Sequence, residues 1–196
     1  MTHTNVSSRW RDRVSLVSLA CLAVLTVTIA VPAHAQARVG NHTRLERFGI
    51  DLGYGALMGL AFAGVDQARN DPPEWGGGGK GYGRRAASNV GEFVVQESVT
   101  EGLAAIMNRP LDYTRCKCTN KGARIRHAFL GAVTDEMPDG SHKFAVPRVT
   151  GAYVGSFAQG AWRPNGGRNW AQIGLGRGTV SLAIGAGINL FHEFVK

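Results

Sequence analysis

Glu97 and Glu101 stand four residues apart in RRAASNVGEFVVQESVTEGLAAIM, Arg84 to Met107, with Glu92 ahead of them. At helical pitch, residues i and i+4 share a face, and paired carboxylates can do acid–base work or hold a metal between facing helices. Di-iron bundles also need a Glu-x-x-His pair on each of two helices, and this chain contains none. His127, in GARIRHAFLGAVTD, is the histidine set among apolar helical positions. A lone helical histidine more often packs or faces water than binds a metal. Glu97, Glu101 and His127 are therefore a candidate polar site, and the carboxylates also read simply as a polar helix face.

The familiar catalytic signatures each fail at one or two positions. HExxH would need histidine at Lys196 after His192 and Glu193, and a nucleophile elbow around Ser156 would need glycine at Val154. GGGGK, Gly76 to Lys80, is no P-loop, because glycine would be needed at Glu74 and Ser or Thr at Gly81. Cys116 and Cys118 form one CxC, half a zinc site at most. A disulfide would close a very short loop, so two loop thiols without a metal are the reading. No catalytic residue, cofactor or metal is expected.

The elements that would position these groups are helices. Val95, Val99, Gly102, Leu103 and Ile106 draw an apolar stripe at helical period, ended by Asn108, Arg109 and Pro110. A first helix, capped by Asn41 or Thr43, runs through GIDLGYGALMGLAFAGV to about Arg69, where Asn70, Asp71, Pro72 and Pro73 stop it. Asp51, its interior charge, would pair with Arg47 at i−4 if buried. A flexible connector, Asp71 to Arg85, follows, in which Lys80, Arg84 and Arg85 with Trp75 and Tyr82 could meet anionic headgroups. Later helices are expected over Gly122 to Asp135, Pro147 to Trp162 and Trp170 to Phe194, the last as one helix or two meeting near Gly176 to Gly178.

Glycine organises these helices. Gly49 and Gly53, Gly55 and Gly59, Gly151 and Gly155, and Gly174 and Gly178 are each four apart, so each pair stacks on one face and lets another backbone approach. Glycine makes up 27 of 196 residues, about twice the usual share of roughly 7%. It falls in apolar stretches without a G-X-Y period, which argues against both collagen and disorder.

Residues 1–35 read as a signal peptide: Arg9, Arg11 and Arg13, an apolar run from Val14 to Val31, and an A-x-A site at Ala33 to Ala35. Cys21 is no lipobox cysteine, since Ser18 takes the aliphatic position. The alternative is an uncleaved anchor, because Val14 to Val31 would rise about 27 Å as a helix. Removing Arg9, Arg11 and Arg13 against Asp12 takes the net charge from +8 to +6, a mildly basic surface with no nucleic-acid partner expected. Residues 36–196 are then one domain.

DPPEWGGGGKGYGRR, the helix ending MNRPLDY, the basic helix after it and the closing GINLFHEF resemble an uncharacterised family of small exported, glycine-rich, helix-rich bacterial envelope proteins. In that family a DxPxEW-like loop leads to GYGKR-like residues, an xxEDPRY-like turn follows the next helix, and a GxNxFxEF-like segment closes the chain. The resemblance covers roughly Asp66 to Phe194, with Asn108 and Arg109 where the family has acidic residues. It implies an exported, membrane-associated, helix-rich protein and carries over no catalytic residues.

The fold expected is all-α, a compact bundle of about five to six helices after the signal peptide. It would serve a structural or interaction role in the periplasm or outer membrane, with the membrane or other envelope proteins as partners. The alternatives are an eight-stranded outer-membrane β-barrel, since Val180, Leu182, Ile184, Ile188 and Leu190 alternate with small or polar residues, and a soluble periplasmic enzyme or metal-binding bundle using Glu97 and Glu101. One difficulty faces the membrane reading: the uncharged runs Leu52 to Val65, Val149 to Trp162 and Gly178 to Phe191 are shorter than the roughly 18 to 20 residues of a spanning helix. Intact mass of the protein recovered from the envelope should show a chain beginning at Gln36; a mass that includes residues 1–35 would make that segment an anchor.

Overall fold

Asn70 and Asn108 are the non-glycine residues with positive φ among the described residues, both at 50°. Asparagine tolerates this left-handed conformation and stops helices with it. Asn70 closes the turn after the first long helix, and Asn108 is the C-cap of the second. The computed structural model describes residues 44–195. The expected signal peptide, its expected cleavage site and the expected caps Asn41 and Thr43 lie outside the described residues.

The chain is all-α. Helix α1 spans Arg44–Ala68, α2 Gly78–Met107, α3 Lys121–Leu130, α4 Val146–Trp162 and α5 Trp170–Phe194. A single 3-10 turn, Pro73–Trp75, precedes α2, and a small antiparallel hairpin of β1, Thr134–Glu136, and β2, His142–Phe144, separates α3 from α4. The β-barrel alternative is thereby overturned: the alternating residues from Val180 to Leu190 lie inside α5, which runs unbroken past Gly176 and Gly178.

Local chemistry explains the boundaries. Asn120 Oδ1 accepts from the amides of Gly122 and Ala123 to start α3, and Asn169 Oδ1 accepts from Ala171 N to start α5. Pro147 sits in the first turn of α4, where no amide is missed. Two expectations need correction. Helix α3 ends at Leu130 rather than Asp135, because Thr134 to Glu136 pair with β2. The stretch Asp71 to Arg85 is not a flexible connector either: α2 starts at Gly78, after positive φ at Gly76 and Gly78 has turned the chain.

Helix α2 is central, packing on α1 along one side and α4 along the other, while α5 packs on α4 and α3 on α5. Neighbouring long helices run antiparallel, joined end to end. The contacts are made at glycine. A Cβ at Gly59 would lie 2.8 Å from Val90 Cγ2 and 3.1 Å from Val90 N, and one at Gly155 would lie 2.9 Å from Glu92 O. Side chains at Gly55, Gly174 and Gly178 would enter the rings of Phe93, Phe157 and Tyr153, and one at Gly151 would strike Thr100. Gly49 and Gly53 are different: nothing lies within 4 Å of a Cβ there. Expected as packing positions, they face outward. A four-residue spacing puts two glycines on one face without saying which face meets the neighbour.

What this packing encloses is small and polar. Apart from Pro72 and Pro147, the buried apolar side chains are all alanines, Ala63, Ala86, Ala104 and Ala152 among them, and the largest fully buried side chains include Arg85, Gln159 and Glu193. No Leu, Ile, Val, Phe, Met or Trp is buried among the described residues, whereas Tyr54, Leu57, Ile106 and Phe191 are more than 60% exposed.

Gly53→Ala and Gly59→Ala add the same methyl group to one helix and should act oppositely. Gly53→Ala should stabilise by about 0.8 to 1 kcal/mol through helix propensity, and Gly59→Ala should destabilise by roughly 1 to 3 kcal/mol through overpacking on Val90. Thermal unfolding of the mature protein reads both, and equal shifts would mean that α1 does not pack on α2 through Gly59.

Candidate functional site

Arg85 is fully buried in the second turn of α2, and every guanidinium N–H has an acceptor. Nε donates to Asp71 O at 3.0 Å, Nη1 to Gln67 Oε1 at 2.6 Å and Gly76 O at 2.8 Å, and Nη2 to Asn70 Oδ1 at 3.3 Å and Pro72 O at 2.8 Å. A planar fork with five donors suits a chain that doubles back, since its carbonyls converge without amides to satisfy them. The turn DPPEWGGGG is thus wrapped around one side chain.

Arg163, just past α4, joins the same cluster. Nη1 reaches Asp66 Oδ2 at 3.0 Å, Nη2 reaches Asp71 Oδ2 at 3.2 Å, and the guanidinium lies 5.6 Å from the centre of the Trp75 ring. Arg168 holds the other oxygen of Asp71 at 3.0 Å. Gln159 Nε2 donates to Ser88 O and Asn89 Oδ1, both at 3.2 Å, and Asn89 Nδ2 reaches Asp66 Oδ2. These residues tie the ends of α1, α2, α4 and α5 together.

Toward the middle of the bundle, Glu92 accepts from Ser156 Oγ at 2.8 Å and from Arg177 Nη2 at 2.6 Å, which locks α2 to α4 and α5. Arg177 Nη2 also reaches Asn89 Oδ1 at 3.1 Å, and Ser181 Oγ donates to Gln96 Oε1 at 2.8 Å. At the far end Arg47 binds Glu101 at 2.8 Å and Asp112 at 3.1 Å. The pairing of Arg47 with Asp51 expected from i−4 spacing does not form: the guanidinium reaches across to α2 instead, and among the described residues no ion pair reaches Asp51. Glu97 accepts from Gln96 Nε2 at 3.4 Å, with the charges of Asp51, Glu101 and Arg148 around it.

The candidate polar site draws its residues from two helices. Glu97 and Glu101 share a stretch of α2, but His127 belongs to α3, where Nε2 meets Thr114 O at 2.9 Å and the ring lies 5.5 Å from that of Tyr113. No group of three or more His, Cys, Asp or Glu among the described residues is arranged to hold a metal. Cys116 and Cys118 are joined as a disulfide rather than standing as free thiols.

Glu193, in the last turn of α5, anchors that loop by accepting from Cys116 N and Tyr113 Oη, both at 2.7 Å, and from Arg124 Nε at 3.0 Å. Burial first, and then donation to this carboxylate, push the Tyr113 hydroxyl above the ordinary phenol range. In the hairpin, burial raises the Asp135 carboxyl against the opposing pull of Arg148, whose Nη2 stands 3.5 Å away, and of Arg109. Arg148 spends its hydrogen bonds on Gly131 O and Leu111 O instead.

The sequence alone did not point to Arg85, Arg163, Arg177, Glu92 or Glu193 as interior residues. One signal was available for Arg85: it sits in RRAASN, whose small and short polar residues leave room for a buried guanidinium. No protein family, curated protein or solved structure matches the chain.

Arg85→Lys keeps the charge and offers three donors to five acceptors. It should destabilise the protein by about 2 to 4 kcal/mol through buried carbonyls left unpaired, and Arg85→Met by more. Thermal unfolding measures both, and a change under about 0.5 kcal/mol, the range of ordinary surface substitutions, would remove Arg85 as the organiser of the turn.

Proposed function

We propose that this protein is an exported, membrane-embedded helical bundle of the bacterial envelope with a structural or interaction role. One observation carries the reading. The exposed Asp, Glu, Lys and Arg side chains lie at the two ends of the bundle: Arg69, Glu74, Lys80, Arg84 and Arg168 at one, Glu46 and those between residues 112 and 143 at the other. Between the ends, no charged side chain of α1, α2, α4 or α5 is exposed.

The interval from Glu46 to Arg69 rises about 35 Å at 1.5 Å per residue, against a bilayer core of about 30 Å. Charges that break the apolar runs in the sequence are turned inward: Glu92 to Arg177, Glu101 to Arg47. This answers the difficulty of length, because the band presented outward is longer than any uncharged run. Paired interior charges, small residues at helix contacts and large apolar residues outside are the arrangement expected where the surroundings are lipid. Helix α1 fits most directly, with a mean hydropathy of 1.5 over 18 residues and 17% of that stretch buried.

Glu92, Glu101 and Glu193 serve architecture in this reading, each matched to a guanidinium, whereas Asp51 and Glu97 have no ion pair among the described residues. Leu57, 64% exposed on α1, makes the test. In a bilayer Leu57→Lys should cost about 2.5 to 3.5 kcal/mol, and the mature wild-type protein should float with phosphatidylcholine vesicles after alkaline carbonate washing. In a water-soluble bundle the substitution would be neutral within about 0.5 kcal/mol. Neutrality, together with release of the wild type by carbonate, would overturn the proposal.

A further inference from the structure

Trp75, Trp162 and Trp170 all lie at the end of the bundle where α1 passes into α2 and α4 into α5, and no other tryptophan is among the described residues. Trp75 and Trp162 wall an open groove of about 570 Å³, lined between them by Ala87 and Ser88 of α2 and by Arg84. Both rings are held in place. Trp162 Nε1 donates to the buried Ser88 Oγ at 3.0 Å, and the Arg163 guanidinium stacks over Trp75.

Charge at this end is unbalanced. Asp66 and Asp71 are engaged by Arg163 and Arg168. Arg69, Lys80 and Arg84 are exposed, and none has a side-chain hydrogen bond or ion pair with a described residue; Glu74 is the carboxylate left to oppose them. Lys80 lies four residues before Arg84 on α2, hence on the same face.

We propose that this groove binds an anionic phospholipid, with the lipid phosphate at Arg84 and Lys80 and the start of its chains between the indoles. The inference rests on the membrane reading, which places Arg84 at the border of the uncharged band, at headgroup depth. A basic residue there keeps its charged end in the headgroup region while its stem lies along apolar surface, and indole rings favour the same depth. A free phosphate would use the cations and leave the groove between the indoles unfilled. A lipid uses both.

The test uses the mature protein with Trp170→Phe, so that Trp75 and Trp162 report, in nanodiscs of phosphatidylcholine with and without phosphatidylglycerol. Quenching by brominated phosphatidylglycerol should exceed that by brominated phosphatidylcholine by about fivefold for each cation engaged. Arg84→Gln with Lys80→Gln should bring the two to parity while incorporation into phosphatidylcholine is unchanged. Equal quenching in the parent protein would overturn this inference and leave the membrane reading standing, whereas failure to enter phosphatidylcholine discs would overturn the membrane reading itself. Displacement of the phosphatidylglycerol signal by soluble glycerol phosphate would overturn the assignment to lipid in favour of a free phosphate.

Discussion

Helix backbones in this protein come so close at Gly59, Gly151 and Gly155 that no side chain fits between them, and everything else in the bundle follows from that spacing. An interior so thin fully buries no Leu or Phe; it holds alanine, short polar side chains and the few long ones that can thread between helices, while the rings of Phe93, Tyr153 and Phe157 lie half-buried where glycine makes room for them. Many large apolar side chains, Leu57, Ile106 and Phe191 among them, are left outside, where they face whatever surrounds the protein. In a helix interior each glycine costs about 0.8 to 1 kcal/mol relative to alanine. Dispersion contacts and hydrogen bonds made possible by close approach offset that cost where a neighbouring helix is present, as at Gly55 and Gly59, and have nothing to act on where none is, as at Gly49 and Gly53.

The polar side chains inside are placed where the backbone leaves groups to satisfy. Arg85 gathers carbonyls of a turn that reverses direction in a few residues, Arg163 neutralises the two aspartates beside it, and Glu193 receives an amide, a phenol and a guanidinium from the loop it pins. A buried ion pair is weak as a source of stability in water because both ions lose hydration. In a bilayer the alternative for either partner is hydrocarbon, so the pairing of Glu92 with Arg177 and of Glu101 with Arg47 also decides which faces of the helices turn inward.

That division into a polar interior, an uncharged band and charged ends joins the fold to the proposed role. The ends are not alike: one carries the three described tryptophans and cations without partners among the described residues, the other the hairpin, the disulfide loop and α3, with charges of both signs. Such asymmetry suits a protein that meets lipid headgroups on one side and presents folded polar structure on the other.

Much of the fold was legible in the sequence because helix ends and helix contacts are written locally. Asn70, Asn108, Pro147 and Asn169 mark boundaries through their own backbone preferences or side-chain caps, and the apolar stripe from Val95 to Ile106 fixes a helical period. The start of α2 was not legible, because GGGGKGYG has little helix propensity of its own, and the turn before it is held by Arg85 through contacts that only the folded chain shows. Nor was the direction of the glycine faces, since a spacing of four is the same whether a helix or open space lies opposite. Carboxylates and guanidiniums far apart in the chain, such as Glu92 and Arg177 or Glu193 and Arg124, carry no mark of each other in sequence. Their partnership was decided by tertiary packing alone, because an ion pair depends on distance in space, and that distance was set by how closely the glycines let the helices approach.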